Sequence, residues 1–377
     1  SSFMKDETYT SYKHARGINS RHDLFKCMVG PIFKLIEEVV YKNPAFIKHV
    51  PVKDRPQYIF DMLYTPGAVY LATDYTAFES LFTKEHMENC EFVMYDYMVQ
   101  FLPEGPEFMR ECRETLAGKN VCDFKDFRVT LEATRMSGEM CTSLGNGFSN
   151  LMFMLFICSQ AGCTDVRGVV EGDDGLFRMI GVPPTDGDFR RLGLVIKPEV
   201  HERLEEASFC GLIFDLEDKK VITDPLKVIA SFGWTSRRYA RANSNTLKML
   251  LRSKALSLAY QYPGCPIVSS LAQYGLRVSR GVRVGKLLKS NNLGYWERER
   301  LLEALQYGPQ PVGIGMNTRF LVEKKYGITV EAQLETEKYL DGSSDLCELD
   351  LPWIEHMFPQ DWSNYHEKYS FTAKAND

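Results

Sequence analysis

The chain has 377 residues, too many for one small core and enough for two or three compact units of ~100–200 residues each. Hydrophobic residues at 44%, charged at 25% and aromatic at 12% describe an ordinary globular protein, which excludes a disordered, collagen-like or disulfide-stapled chain. No apolar run approaches the ~18–20 residues of a membrane span; the longest, Leu151 to Cys158, reads as core. The chain opens Ser-Ser-Phe with no initiator Met, basic stretch or apolar stretch, so no signal peptide is expected and the start reads as a cut from a longer polypeptide. Its ten cysteines are scattered without a Cys-x-x-Cys pair, which favours reduced thiols over a zinc site.

The net charge of −5 hides a strong asymmetry. Residues 1–60 carry 10 Lys/Arg against 6 Asp/Glu, residues 61–224 carry 15 against 29, and residues 297–377 carry 8 against 15. Between them, residues 225–296 hold 12 basic side chains and no acid. Solvated helix faces ordinarily mix signs. A one-sign stretch points to a polyanion surface, with counterion release driving association.

In chain order, residues 31–42 predict an amphipathic helix with Pro31 in its first turn, and Val69 to Thr73 a short strand ending at Asp74. Thr83 to Phe101 has helical spacing. Residues 103–130, broken by Pro103, Gly105, Pro106 and Gly118, predict irregular structure. Glu139 to Gln160 predicts a long apolar helix opened by Ser137-Gly138, with Ser137 a candidate N-cap. Val166–Val170 and Leu176–Ile180 flank Gly172-Asp173-Asp174-Gly175, a hairpin signal. Asp186 to Leu192 reads as a helix, and 207–214 with 220–223 as a second hairpin. Helices are then expected at about 243–260, 266–276, 296–306 and 329–340. Strands in the middle and helices at the end make an α+β chain, not a βα repeat.

Adjacent side chains on a strand point to opposite faces, so Asp173 and Asp174 can share a site only at a turn. Two such carboxylates repel unless a divalent cation neutralises them. Alone, the tripeptide reads sooner as an ordinary Asp-Gly turn. A second acidic pair, Asp74 and Glu79, follows the first strand. Asp74, Asp173 and Asp174 at neighbouring strand ends would suit two Mg²⁺ (or Mn²⁺) ions, about 3.5–4 Å apart. In Ser137-Gly-Glu-Met-Cys-Thr142-Ser-Leu-Gly-Asn146, Thr142 and Asn146 stand at i and i+4, a polar strip on an otherwise apolar helix.

Together these residues resemble the palm of viral RNA-dependent RNA polymerases. Asp74-x4-Glu79 resembles motif A, Ser137-Gly-x3-Thr142-x3-Asn146 motif B, and Gly172-Asp173-Asp174 motif C, and the wording around them is closest to tombusvirus- and nodavirus-like enzymes. Ser2 to Glu7 and Ala15 to Arg21 resemble motif F, which implies that Lys5, Arg16 and Arg21 grip the incoming triphosphate. Gly193 to Lys197 resembles motif D, with Lys197 the implied general acid. Ser208 to Gly211 resembles motif E. Motif A commonly carries Asp where this chain has Glu79; Glu79 with Asn146 would still serve the ribose 2′-OH. A reverse transcriptase would more often place an aromatic two residues before its Asp pair, where this chain has Glu171.

The resemblance implies a right-hand architecture: partial fingers over 1–65, palm over 66–82 and 131–224 on an antiparallel sheet, a fingers insertion over 83–130, and a helical thumb with tail over 225–377. It also implies RNA-templated RNA synthesis from NTPs, with template and product duplex as partners. Arg237, Arg238, Arg241, Lys248, Arg252 and Lys254 are the expected RNA-backbone contacts. Other viral replication proteins, and a place in membrane-associated complexes of the host cytoplasm, follow from the resemblance alone. The rival reading is an RNA-binding protein with a degenerate palm; the complete carboxylate set counts against it.

Overall fold

The computed structural model describes residues 2–5, 14–235, 239, 241–289, 293, 295–308 and 312–374. The chain divides into two compact units: Ser1–Val50 with Tyr58–Cys210, and Pro51–Gln57 with Gly211–Asp377.

The first unit opens with strands β1 (Ser2–Met4) and β2 (Gly17–Asn19), paired antiparallel, and helix α1 (Asp23–Val40). α1 starts eight residues before the predicted boundary, so Pro31 sits inside it. Its missing N–H removes one backbone bond on an exposed face, and the buried stripe of Val29, Phe33 and Ile36 outweighs that loss. α2 (Arg55–Leu63) precedes β3 (Val69–Thr73). The predicted 83–101 helix is α3 (Lys84–His86), a π-helical turn (Met87–Glu91) and α4 (Phe92–Val99).

The expectation of irregular structure over 103–130 is wrong. Helix α5 (Gly105–Leu116) begins at Gly105-Pro106, where proline is tolerated in the first turn, and strands β4 (Lys119–Asp123) and β5 (Arg128–Glu132) form a hairpin after Gly118. These prolines and glycines punctuate elements instead of preventing them. The Phe33 ring meets those of Tyr95 and Phe108 edge-on at 5.2 and 5.0 Å, joining α1, α4 and α5.

Helix α6 (Thr142–Gln160) begins three residues later than predicted, with Cys141 and not Ser137 at its N-cap position and no side-chain capping bond; Gly138 at φ +102° cannot continue a helix. It packs on a four-stranded antiparallel sheet, ordered β6 (Thr164–Glu171), β7 (Asp174–Ile180), β3, β8 (Glu199–His201), with α7 (Asp186–Arg190) between β7 and β8. Leu71, Val170, Phe177 and Met179 of the sheet share one core with Leu151, Met154 and Ile157 of α6.

Within this core lies a buried ion pair. Arg135 donates to Glu91, both with side chains 2% exposed or less, while the Tyr95 hydroxyl donates to the other Glu91 oxygen at 3.1 Å and the guanidinium lies 4.5 Å over the Phe82 ring. Replacing one partner strands the other charge in apolar surroundings.

The second unit carries the hairpin β9 (Ile213–Asp215)–β10 (Lys220–Ile222) and helices α8 (Pro225–Ser231), α9 (Ser244–Gln261), α10 (Val268–Val278), α11 (Gly285–Lys289), α12 (Tyr295–Tyr307), α13 (Met316–Tyr326), α14 (Val330–Gly342), α15 (Pro352–Glu355) and α16 (Gln360–Lys374). The four predicted helices are present; α8, α11, α13, α15 and α16 were not expected. Asp215 is fully buried and accepts from the backbone N–H groups of Glu217 and Asp218, Asn317 Nδ2 (2.7 Å) and Thr318 Oγ1 (2.5 Å). A carboxylate at the N-terminus of α13 is favoured by the helix dipole as well as by these donors. Arg319 and Glu337 form a bidentate pair at 3.1 and 2.8 Å.

Arg135→Met should destabilise the first unit by about 3–5 kcal/mol, the usual consequence of leaving a buried carboxylate unpaired. Chemical denaturation checks this; a loss below about 1 kcal/mol would contradict the assigned role.

Candidate active site

Glu171 pairs with Asp174, so Gly172-Asp173 is a two-residue hairpin turn. Gly172 has φ +66° and Asp173 stays in the ordinary region, as the first and second central residues of a type II′ turn require. On the neighbouring strand Thr73 pairs with Gly175, so Asp74 leaves β3 beside the turn. The sheet thereby brings Asp74, Asp173 and Asp174 to one end.

Helix α6 holds this end together. Asn146, 2% exposed, donates from Nδ2 to Glu79 Oε1 at 3.3 Å. One residue on, Gly147 lies beside the turn: a Cβ there would make an ordinary contact, 3.5 Å from the Gly172 nitrogen. One turn further, fully buried Asn150 donates from Nδ2 to the Asp173 carbonyl at 2.8 Å. Thr142 instead turns back, its hydroxyl within 3.3 Å of the Met136 and Glu139 carbonyls, which fastens the loop before the helix.

Beyond Asp74 the chain pairs with the segment carrying Lys197. Thr76 N–H donates to Val195 O at 3.0 Å, Tyr75 bridges Ile196, and Lys197 N–H donates to Asp74 O at 3.1 Å. Tyr75 and Ile196 are buried and the flanking Asp74 and Lys197 exposed. Asp74 and Lys197 are therefore cross-strand neighbours facing solvent together. His86 anchors the start of this segment: Thr83 N–H donates to Nδ1 at 3.2 Å, leaving Nε2–H to donate to Leu192 O at 2.7 Å.

The β1–β2 ladder continues in a bond from Lys5 N–H to Arg16 O at 2.8 Å, so these two exposed residues stand opposite one another. Asn19 N–H donates to Ser137 O at 2.8 Å, tying the ladder to the loop before α6. Arg21 is engaged otherwise than predicted: its guanidinium pairs with the buried Glu139 and donates to Thr115 O at 3.3 Å. Burial lifts the Glu139 carboxyl and Arg21 pulls it back.

Electrostatics report the crowding. The Asp173 carboxyl is raised by desolvation, then by Glu79 and Asp74, with Arg16 opposing. Asp174 is pushed up to about 6 by desolvation, then by Asp173, with Glu171 and Asp74 adding and a hydrogen bond from Cys210 opposing. Both residues nonetheless expose more than a third of their surface, so water and ions reach carboxylates that the surrounding protein disfavours as anions. Among the described residues, no three His, Cys, Asp or Glu side chains converge closely enough to hold a metal ion.

In the second unit, Arg237 and Arg238 lie outside the described residues. Arg241 is exposed and Lys248 half-buried. Arg252 caps α10, donating to the carbonyls of Leu276 (3.0 Å) and Ser279 (3.5 Å). Arg277 caps α14 in the same way through Leu340 O (2.6 Å). Cations at helix C-termini are stabilising, so part of the acid-free stretch is structural. Lys254 is exposed, and partial desolvation lowers its ammonium pKa, with Glu297 of α12 opposing and Arg300 adding.

Comparison with protein families matches residues 32–263 to the family of viral RNA-dependent RNA polymerases. The chain belongs to that family. No curated protein sequence matches it significantly. The polymerase family's activity is RNA-directed nucleotidyl transfer, and the α+β fold with its antiparallel sheet agrees with it. The matched region of the polymerase contains Asp74, Glu79, Asn146, Asp173, Asp174 and Lys197, whereas Lys5, Arg16 and Arg21 precede it.

Sequence reading missed Thr73, Tyr75 and Asn150. Asn150 extends the Thr142–Asn146 strip by one more i+4 step, the signal that could have found it. Thr73 and Tyr75 flank Asp74, and strand alternation places both on the face opposite it, the signal that could have found them.

Because the Asp174 carboxyl is raised from about 3.8 unfolded to about 6 folded, the folded state binds the proton more tightly. Stability from this group is present below pH 4 and is lost as pH rises towards 6. Without divalent cations, Asp174→Asn should therefore melt progressively higher than the parent between pH 4 and 7. A melting difference that stays constant over that range would contradict the assignment.

Proposed function

We propose that this chain catalyses template-directed attack of an RNA 3′-hydroxyl on the α-phosphate of an NTP, in viral genome replication and transcription, at the strand ends described above. The observation that carries the reading is the meeting of Asp74, Asp173 and Asp174 at one end of the sheet, with the Glu79–Asn146 pair alongside.

Asp74, Asp173 and Asp174 would hold two Mg²⁺ or Mn²⁺ ions. The chemistry of the donors fits, although their side chains do not converge: hard oxygen ligands whose carboxyls are raised by burial and then by neighbouring carboxylates gain most from a divalent cation. Bound there, the ions lower the pKa of the attacking hydroxyl and stabilise charge on the phosphate. Lys5 and Arg16 grip the triphosphate, and Arg16 already lies within electrostatic reach of Asp173. Arg21 holds the loop through Glu139. Asn146 and Glu79 read the ribose 2′-hydroxyl, with Ser137 and Thr142 shaping the loop beside them. Lys197, across from Asp74, protonates the departing pyrophosphate.

In this reading residues 66–82 and 131–224 are the palm, 1–65 and 83–130 belong to the fingers, and 225–377 form the thumb and tail. Arg241 and Lys248, with Arg237 and Arg238, contact the RNA backbone, and Arg252 and Lys254 support them. The chain would work with other viral replication proteins in membrane-associated complexes of the host cytoplasm; no described helix is long and apolar enough to cross a membrane.

The test is incorporation of labelled nucleotides on an RNA template with Mg²⁺. The parent should incorporate NTPs and not dNTPs, Asp173→Ala should incorporate neither, and Asn146→Ala should narrow the NTP preference by about tenfold, the value of one hydrogen bond near 1.4 kcal/mol. Equal incorporation by the parent and Asp173→Ala would overturn the assignment.

A further inference from the structure

Asn150 touches three segments at once. Its side chain is fully buried, and its amide is committed on both sides. Nδ2 donates to the Asp173 carbonyl at 2.8 Å and lies 3.5 Å from Thr73 Oγ1. Oδ1 accepts from the Tyr75 hydroxyl at 3.3 Å. A carbonyl can only accept, so the Asp173 oxygen fixes which end of the amide faces it, and the Tyr75 hydroxyl must donate to the other. Burial raises the Tyr75 hydroxyl's pKa and keeps it a donor. The Thr73 hydroxyl lies 3.4 and 3.3 Å from the Asp173 and Gly175 carbonyls. Gly175 leaves the space: a Cβ there would sit 2.9 Å from both Asn150 Nδ2 and Thr73 Oγ1.

Thr73 and Tyr75 are the immediate neighbours of Asp74. The network therefore clamps the backbone on both sides of Asp74 to the backbone of Asp173, with α6 as the rigid support. We propose that Asn150 is a positioning residue that sets the separation of Asp74 and Asp173, and so the affinity of the site for divalent cations; this rests on the function proposed above. Neither Asn150 nor Tyr75 reaches the cation. They act through the carboxylates, and partners one shell out from metal ligands ordinarily change affinity or activity by about 10–100-fold.

The test measures Mn²⁺ binding directly, from the loss of the free-ion electron paramagnetic resonance signal, on the parent chain, Asn150→Leu, Tyr75→Phe and Asp173→Ala, alongside melting temperatures without metal. Asn150→Leu should weaken Mn²⁺ binding by about tenfold. Tyr75→Phe, which keeps the ring and removes only the donor, should weaken it by about threefold, as one neutral hydrogen bond predicts. Lower melting temperatures with parental Mn²⁺ affinity in both variants would make the network merely structural and overturn the proposal. Should Asn150→Leu fail to fold, Tyr75→Phe decides alone, and parental affinity there overturns it. Asp173→Ala separates the two levels: parental Mn²⁺ affinity in that variant removes the cation site itself, and the inference with it.

Discussion

Carboxylates crowded at one end of a sheet repel one another, and the first unit is organised around that constraint. Desolvation first, and neighbouring charge after it, raise Asp173 and Asp174 above their ordinary range, so the fold holds them where their ionised forms are disfavoured. What holds them is backbone. The type II′ turn at Gly172-Asp173, the Thr73–Gly175 register and the pairing of Asp74 to Thr76 with Val195 to Lys197 leave no strand end free to splay.

Helix α6 converts that frame into a site. Its lower half is ordinary core, while Asn146 and Asn150 at the other end bond to Glu79 and the Asp173 carbonyl. The loop before it is fastened by Thr142, by the Ser137 carbonyl and by the Arg21–Glu139 pair. The buried Arg135–Glu91 pair lies behind the same helix start. Interior polar groups are concentrated where segments distant in sequence must keep register, and Glu91, Glu139, Asn146 and Asn150 each take a partner there.

The pattern of strands and the long helices was legible because periodicity survives in a single sequence: β3, the β6–β7 hairpin and α9, α10, α12 and α14 lie where alternation and i, i+3, i+4 spacing put them. The region 103–130 was not, because proline and glycine at Gly105-Pro106 and Gly118 mark the edges of α5 and β4 as readily as they mark loops. The start of α1 was lost to the same ambiguity at Pro31. Asp74, Glu79, Asn146, Asp173 and Lys197 could be named in advance since their types and order carry the resemblance, whereas spacing could flag Tyr75 and Asn150 but not assign them, since their partners are fixed only by the tertiary fold. The basic stretch shows the opposite limit: charge bias was visible, yet Arg252 and Arg277 spend it on helix C-termini.

The central claim is that the turn carrying Asp173 and the end of β3 carrying Asp74 form one cation site braced by α6. The most direct measurement is an anomalous difference map from crystals of this chain soaked in Mn²⁺. The account predicts density between the Asp74 and Asp173 carboxylates, with the Asn150 amide still bonded to the Asp173 carbonyl. Density placed elsewhere, or none at the strand ends at millimolar Mn²⁺, would contradict it.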